Sequence, residues 1–245
     1  MDPQGQLGKV LGLEVRRSSR TAIELLLDSV LDARAPESLD PKPERELPTV
    51  ATRIPNLDVI VANKSLALFP GWTESGEGDD PTRRLADRLA SAPDLDRYDF
   101  VLFDAPPSFG PLTLNVLRAC DEVAVPVPLT YLALDGCAEL VRTIRTVQTR
   151  YGNPDLRISM VIPTFYRRTR LANEILDQLK LRFPKEIANT VVGFHVKIDE
   201  AQSRGQSIFE YAASDRGAAA MAALAEELEA REQPLAGEVP PEGAA

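Results

Sequence analysis

The 245-residue chain carries 28 Lys and Arg against 37 Asp and Glu, a net charge of −9, and 44% of it is hydrophobic. Those figures suit one large or two small globular domains with a real core. No stretch nears the ~18 uninterrupted apolar residues of a membrane helix, no secretory signal opens the chain, and one histidine without a CxxC pair leaves no zinc-ligand spacing. Cys120 and Cys137 read as reduced thiols of a cytoplasmic protein.

In chain order, residues 20–32 set Ile23, Leu26, Leu27 and Val30 at helical spacing, and a Pro-rich, charged run from Ala35 to Pro48 reads as a loop. Asn56 to Ala62 (NLDVIVA) predicts a short strand, Gly71 to Pro81 a loop, and Thr82 to Ala92 a charged helix. Tyr98 to Ala105 (YDFVLFDA) and Glu122 to Val127 (EVAVPV) are nearly continuous apolar strands, the kind buried on both faces of a parallel sheet. Between them a helix fits from about Leu112 to Ala119. Cys137, Leu140, Val141, Ile144 and Val147 then form the apolar stripe of another helix. Arg157 to Pro163 predicts a strand, Leu171 to Phe183 a helix, Thr190 to Val196 a last strand, and Arg216 to Arg231 a closing helix that buries Met221, Leu224 and Leu228. The acidic, Pro-rich tail of residues 232–245 predicts disorder. This alternation predicts an α/β fold, a mostly parallel sheet covered by helices on both faces, with ligands at the carboxyl ends of its strands.

Charge is unevenly placed. Arg142 to Arg216 holds 13 Lys or Arg against 8 Asp or Glu, a net of +5, which leaves −14 for the rest of the chain. Such a local excess is enough to hold nucleic-acid phosphates, and it is also what a solvated surface of mixed charges looks like.

Asp104 ends the most hydrophobic strand and precedes the turn Ala105-Pro106-Pro107-Ser108, the geometry of a Walker B aspartate that holds Mg²⁺ through water. An apolar strand ending in Asp is a weak signal alone. The longer string FDAPPSFGPLTLNVLRACDEVAVPVPLTYLALDG, Phe103 to Gly136, closely resembles the Walker B region of the ParA/Soj partition ATPases, in the deviant Walker A class that includes MinD. Asn153-Pro154-Asp155-Leu156, Pro163 to Leu171 and Asp199 to Gly205 resemble further segments of that family, as do Asn56 to Leu68 and Asp2-Pro3-Gln4-Gly5, the end of its "D.DPQG" motif. The similarity spans nearly residues 1–231, read as one ATPase-like domain.

The resemblance implies roles residue by residue. Asp2 would position the attacking water as the catalytic group. Asp104 would hold Mg²⁺, and Asp104, Pro107, Asn115, Thr164, Phe165 and Tyr166 would line the ATP site. Arg167, Arg168, Arg170, Lys197, Arg204 and Arg216, with Arg142 and Arg145, fall where the family faces DNA. It also implies a homodimer, non-specific DNA, a ParB-type activator and a cytoplasmic, nucleoid-associated location. The family's "IPRN" stands here as Val192-Gly193-Phe194-His195 and the proline of its "EAPS" as Gln202, so His195 reads as a partly exposed structural residue.

No G-x-x-x-x-G-K-[ST] phosphate loop occurs in the chain, and the family places its loop and first strand ahead of the DPQG motif. We therefore expect a mis-set start or a gene fragment, before a native pseudo-ATPase or a split protein, and a chain deficient in ATP hydrolysis. Loss of a central strand would leave unpaired ladder groups and exposed apolar side chains. The alternatives are a non-enzymatic binding module and a ParA-like protein that positions other cargo. The acidic end of the chain argues against a MinD-like membrane helix.

Overall fold

A computed structural model describes residues 1, 3–13, 21–27, 46–72, 80–106, 110–131 and 133–232. They form two compact units. The first holds Met1–Asp121, Arg142–Arg157 and Gln202–Ser207; the second holds Glu122–Val141, Ile158–Ala201 and the described residues from Ile208 onward.

The first unit begins with α1 (Gln6–Val10) and a hairpin of β1 (Val50–Ala51) and β2 (Asp58–Val59), in which Val50 faces Val59 and Ala51 faces Asp58. The predicted strand Asn56 to Ala62 is thus only two residues long and antiparallel. Its partner lies a few residues upstream, and so short a connection can only double back. Asn56 takes the left-handed φ of 61° that the turn needs, which its short polar side chain tolerates. A 3-10 helix (Lys64–Trp72), α2 (Arg84–Ala90) and α3 (Pro111–Ala119) follow. Pro111 at the first turn suits α3, since its missing N–H would have no helical partner. Leu25, Leu26, Leu66, Phe69, Leu85, Leu112 and Val116 share one core, and residues 24–27 are the described helical part of the predicted 20–32 segment; Val30 lies outside the described residues.

The second unit carries the parallel sheet. In β3 (Glu122–Pro128) and β4 (Arg157–Thr164), Arg157 N donates to Asp121 O at one end and Leu129 N to Thr164 O at the other, so both strands run the same way. Residues 186–194 run parallel on the far side of β4, through bridges of Val161 to Ile187 and of Tyr166 to Gly193. The predicted strand Thr190 to Val196 is this broken ladder, because Phe165 at φ 53° interrupts the register between the two bridges. Helix α4 (Ala133–Arg150) begins in this unit, and α5 (Arg170–Arg182), α6 (Val196–Ser203), α7 (Ile208–Ala212) and α8 (Arg216–Glu232) complete it. Thr169 caps α5 by accepting from Ala172 N at 3.2 Å, and Ala172, Ile175 and Leu179 lie on Val127, Leu129 and Val161 of the sheet. The α/β class with a parallel sheet is what the structure has.

Two expectations change. Tyr98 to Ala105 is not a doubly buried strand: it has no ladder partner among the described residues, and Phe100, Val101 and Leu102 are exposed. In α8 the buried residues are Gly217 and Ala218, while Met221, Leu224 and Leu228 are half-buried. The tail from 233 lies outside the described residues.

Both cysteines sit where burial pushes their thiols up, Cys120 to about 11 with help from Asp121, and Cys137 in the same direction. A thiol held there is almost wholly protonated at pH 8. Cys120 should react with a disulfide reagent about 100-fold more slowly in the native chain than in urea, read by the absorbance of the released thiolate.

Candidate functional site

Of the residues implied in nucleotide chemistry, Asp2 and Pro107 lie outside the described residues. Asp104 is exposed, and its main-chain oxygen accepts from the Met1 ammonium at 2.8 Å. Beside it, Met1, Gly5–Gly8 and Val59–Ala62 enclose about 20 Å³, room for one water. Gly5 holds φ 60°, and a Cβ there would come within 2.4 Å of Ala62 O, so only glycine fits. A nucleoside triphosphate with Mg²⁺ needs cationic side chains and a nest of N–H groups around its phosphates. This lining has no Lys or Arg and no carboxylate besides Asp104, and no group of three or more metal-ligating side chains occurs among the described residues. The described residues do not fit that cofactor, and no step is derived through it.

Asn115 is 0% exposed, on α3. Its Nδ2 donates to Pro81 O and Pro111 O, both at 2.9 Å, and its Oδ1 accepts from Leu85 N at 3.0 Å. The amide is therefore committed to fastening the start of α2 to α3, a task that an asparagine in an apolar helix pattern did not announce.

The cationic residues of the second unit converge on one edge. Thr164 ends β4 and Phe165 and Tyr166 follow it, so Arg167, Arg168 and the first residue of α5, Arg170, stand at the carboxyl edge of the sheet. Tyr166 is tied there by its N–H to Val192 O, by Phe194 N to its own carbonyl, and by its hydroxyl to Asn173 Oδ1 at 3.0 Å. The 186–194 ladder runs the same way, so Lys197 in the first turn of α6 emerges at the same edge. Helix α8 runs back. Arg231 near its end donates to carbonyls at the start of β4 and of the 186–194 segment, and Gly217 near its start lies against the His195 ring. Arg216 is thereby brought to the carboxyl edge too.

Cations at helix starts oppose the helix dipole, whose positive end prefers an anion. Three helices here, α5, α6 and α8, carry one in the first turn, so the edge combines side-chain charge with three helix N-termini, at which Thr169 Oγ1 accepts from Ala172 N, His195 O from Ile198 N and Asp215 Oδ1 from Gly217 N. Arg167 stacks on the Phe194 ring at 4.4 Å, and Phe165, exposed at φ 53°, lies 6.3 Å from the same ring. Arg170 pairs with Glu174 at 2.8 Å and Lys197 with Glu200 at 2.7 Å; both pairs are exposed and easily traded for a phosphate. The hydrogen bond to Glu200 first, with its charge and that of Tyr211, holds the Lys197 ammonium above its ordinary range, so it stays charged. Arg204 is exposed and belongs to the first unit. His195 is half-buried between Gly193 and Gly217, in keeping with a structural role.

Sequence reasoning missed Glu227 and Arg231. Glu227 accepts from Asn189 N and Thr190 N at 2.8 and 2.9 Å and pairs with Arg231 at 2.8 Å. Burial pushes its carboxyl up, and these hydrogen bonds outweigh burial and hold it below the ordinary glutamate range. A depressed folded pKa gives stability that is present above the unfolded pKa and is lost as pH falls through the folded one. Glu227→Gln should therefore flatten the acid limb of a urea-stability profile below about pH 4.5, while leaving its shape above pH 6 unchanged.

Comparison with known proteins adds a family signal. Residues 1–158 match the family model described as an AAA domain (AAA_31). The sporulation initiation inhibitor protein Soj of Bacillus subtilis is 33% identical over 231 residues, 94% of this chain and 84% of that protein. The chromosome partitioning protein ParA of Myxococcus xanthus is 32% identical over 235 residues, 96% and 77% of the two chains. Among solved structures, cobyrinic acid a,c-diamide synthase from Mycobacterium smegmatis with bound ADP and magnesium is 27% identical with a TM-score of 0.67, over 95% of this chain and 82% of that one.

Proposed function

Because the chain belongs to the Soj/ParA family of partition proteins, matched over nearly its whole length, we propose that it acts in chromosome or plasmid partition by holding DNA phosphates along the carboxyl edge of its parallel sheet. The observation that carries this reading is the convergence of Arg167, Arg168, Arg170, Lys197 and Arg216 with three helix N-termini on that edge. Contacts of this kind recognise the polyanion and not its bases, so binding is non-specific and displaced by salt. Duplex DNA is the polyanion this edge would hold; a second copy of the chain and a ParB-type activator complete the assembly the family resemblance implies. ATP is not assigned a role in this chain, because the described residues around Asp104 do not fit it.

Fluorescence anisotropy with two unrelated 30-base-pair duplexes tests this. The 245-residue chain should bind both equally, and its affinity should fall about 500-fold between 50 and 200 mM salt if five phosphates are met. Arg167→Ala with Arg168→Ala should weaken binding and lower the salt slope by about 1.8, near 0.9 for each phosphate no longer neutralised. ATP with Mg²⁺ should leave the affinity unchanged. A salt-independent affinity, or one confined to a single sequence, would overturn the reading.

A further inference from the structure

At the carboxyl edge of the second unit's sheet, Phe165 and Phe194 are 55% and 40% exposed. Their ring centroids lie 6.3 Å apart, tilted by 41°, and the Arg167 guanidinium sits 4.4 Å from the Phe194 ring. Phe165 also holds φ 53°, a region that a bulky side chain rarely enters. The main chain around it is fixed on both sides. Val192 N donates to Pro163 O at 2.9 Å before it, and after it Tyr166 N donates to Val192 O and Phe194 N to Tyr166 O, both at 3.2 Å. A large aromatic ring is thus kept in water on a strained but pinned backbone, and strain kept in this way gathers where a ligand is held.

Charge and shape together say what the ring meets. Arg167, Arg168, Arg170 and Lys197 stand at the same edge and call for a polyanion. A phenyl ring offers no hydrogen bond, and the partner that best covers its face is another flat ring. A duplex keeps its bases stacked on one another and leaves the Phe165 ring in water. An unpaired strand brings phosphates and bare base faces at once. We propose that this edge is a single-strand site, at which an unpaired base stacks on Phe165, backed by Phe194, while the cations hold the flanking phosphates. Single-strand binding here rests on the DNA-holding reading above and deepens it: duplex is held by charge alone, and an unpaired strand by charge and stacking. Every base has a face to stack, so the preference is for unpaired nucleotides and not for a sequence. A free mononucleotide brings the base without phosphodiesters on both sides and competes poorly.

The test uses the whole chain and three labelled ligands of about 15 nucleotides in fluorescence anisotropy: oligothymidine, an abasic strand with the same phosphates, and a duplex. Oligothymidine should bind about 10-fold tighter than the abasic strand, with the same salt slope. Phe165→Gly suits the positive φ and removes the ring, so it should keep the fold and bring oligothymidine down to the abasic strand's affinity, with duplex binding unchanged. Phe165→Tyr should restore the difference. AMP at about 1 mM should not displace oligothymidine. Equal binding of oligothymidine and the abasic strand overturns the proposal, and so does an equal loss on all three ligands in Phe165→Gly or displacement by AMP. Salt-dependent binding of the duplex and the abasic strand with no gain from bases removes this proposal alone, whereas no binding of any ligand removes the DNA-holding reading with it. If Phe165→Gly fails to fold, as judged by circular dichroism, the comparison of oligothymidine with the abasic strand on the unaltered chain decides.

Discussion

Asn115→Asp should destabilise the chain by about 4 kcal/mol at pH 7, more than truncation to alanine, although it exchanges one NH₂ for one oxygen. The wild-type amide donates to Pro81 O and Pro111 O while accepting from Leu85 N, in a site with 0% exposure. An ionised carboxylate there keeps the hydrogen bond from Leu85 N and points its second oxygen at two carbonyls, where no water screens the repulsion. Its escape is to take a proton. Holding an aspartic acid protonated at pH 7 against an unfolded pKa of about 3.9 costs about 4 kcal/mol, and a single O–H still satisfies only one of the two carbonyls. Asn115→Ala leaves Leu85 N and two carbonyls without partners and should cost about 3 kcal/mol. The two variants separate by pH. A raised folded pKa makes the aspartate's deficit shrink as pH falls toward 4, whereas the alanine's deficit stays constant. Urea unfolding at pH 7 and pH 4.5 measures both. An aspartate variant as stable as wild type would mean that the amide does not fasten α2 to α3.

That residue also marks where sequence reading stops. The helices of the second unit were legible because their apolar residues recur at helical spacing: Leu171 to Phe183 was expected and α5 runs Arg170–Arg182, while Arg216 to Arg231 became α8 at Arg216–Glu232. Strands β3 and β4 were legible as runs of Val and Ile bounded by charge. Tyr98 to Ala105 is an equally apolar run bounded by charge and is not a strand among the described residues, since pairing belongs to two segments and a pattern describes only one. The basic side chains were likewise visible, but not their convergence. That follows from the common direction of β3, β4 and residues 186–194 and from α8 running back along them, and direction is a property of hydrogen bonds no spacing encodes. Asn115 and Arg231 show the same limit at the scale of one side chain. Each acts on at least one carbonyl more than thirty residues away, Pro81 O for Asn115 and Ser159 O for Arg231, and a backbone carbonyl carries no residue signature.

Arg231→Ala should lower stability by about 3 kcal/mol and should also weaken DNA binding from a distance. The guanidinium donates to Ser159 O at 3.0 Å, Glu186 O at 2.9 Å, Ile187 O at 2.8 Å and Glu227 Oε1 at 2.8 Å, so one planar group ties the end of α8 to two ladders. Glu186 O keeps a second donor in Val161 N. Truncation therefore falls hardest on Ser159 O and Ile187 O, each of which gives up a charged donor, and it leaves Glu227, 14% exposed, without its cation. Lysine cannot replace it. A single ammonium reaches one or two of the four acceptors and lacks the fork that spans them, so Arg231→Lys should recover less than half of the loss. Because α8 is about 26 Å long at 1.5 Å per residue, freeing its end also frees Arg216 at its start from a fixed place at the carboxyl edge. DNA affinity should then fall about as far as in Arg216→Ala, and adding Arg216→Ala to Arg231→Ala should weaken it no further. Urea midpoints and anisotropy on the two single variants and the double variant check this. Additive losses in DNA affinity would show that Arg231 meets phosphate itself and is not the clamp that places Arg216.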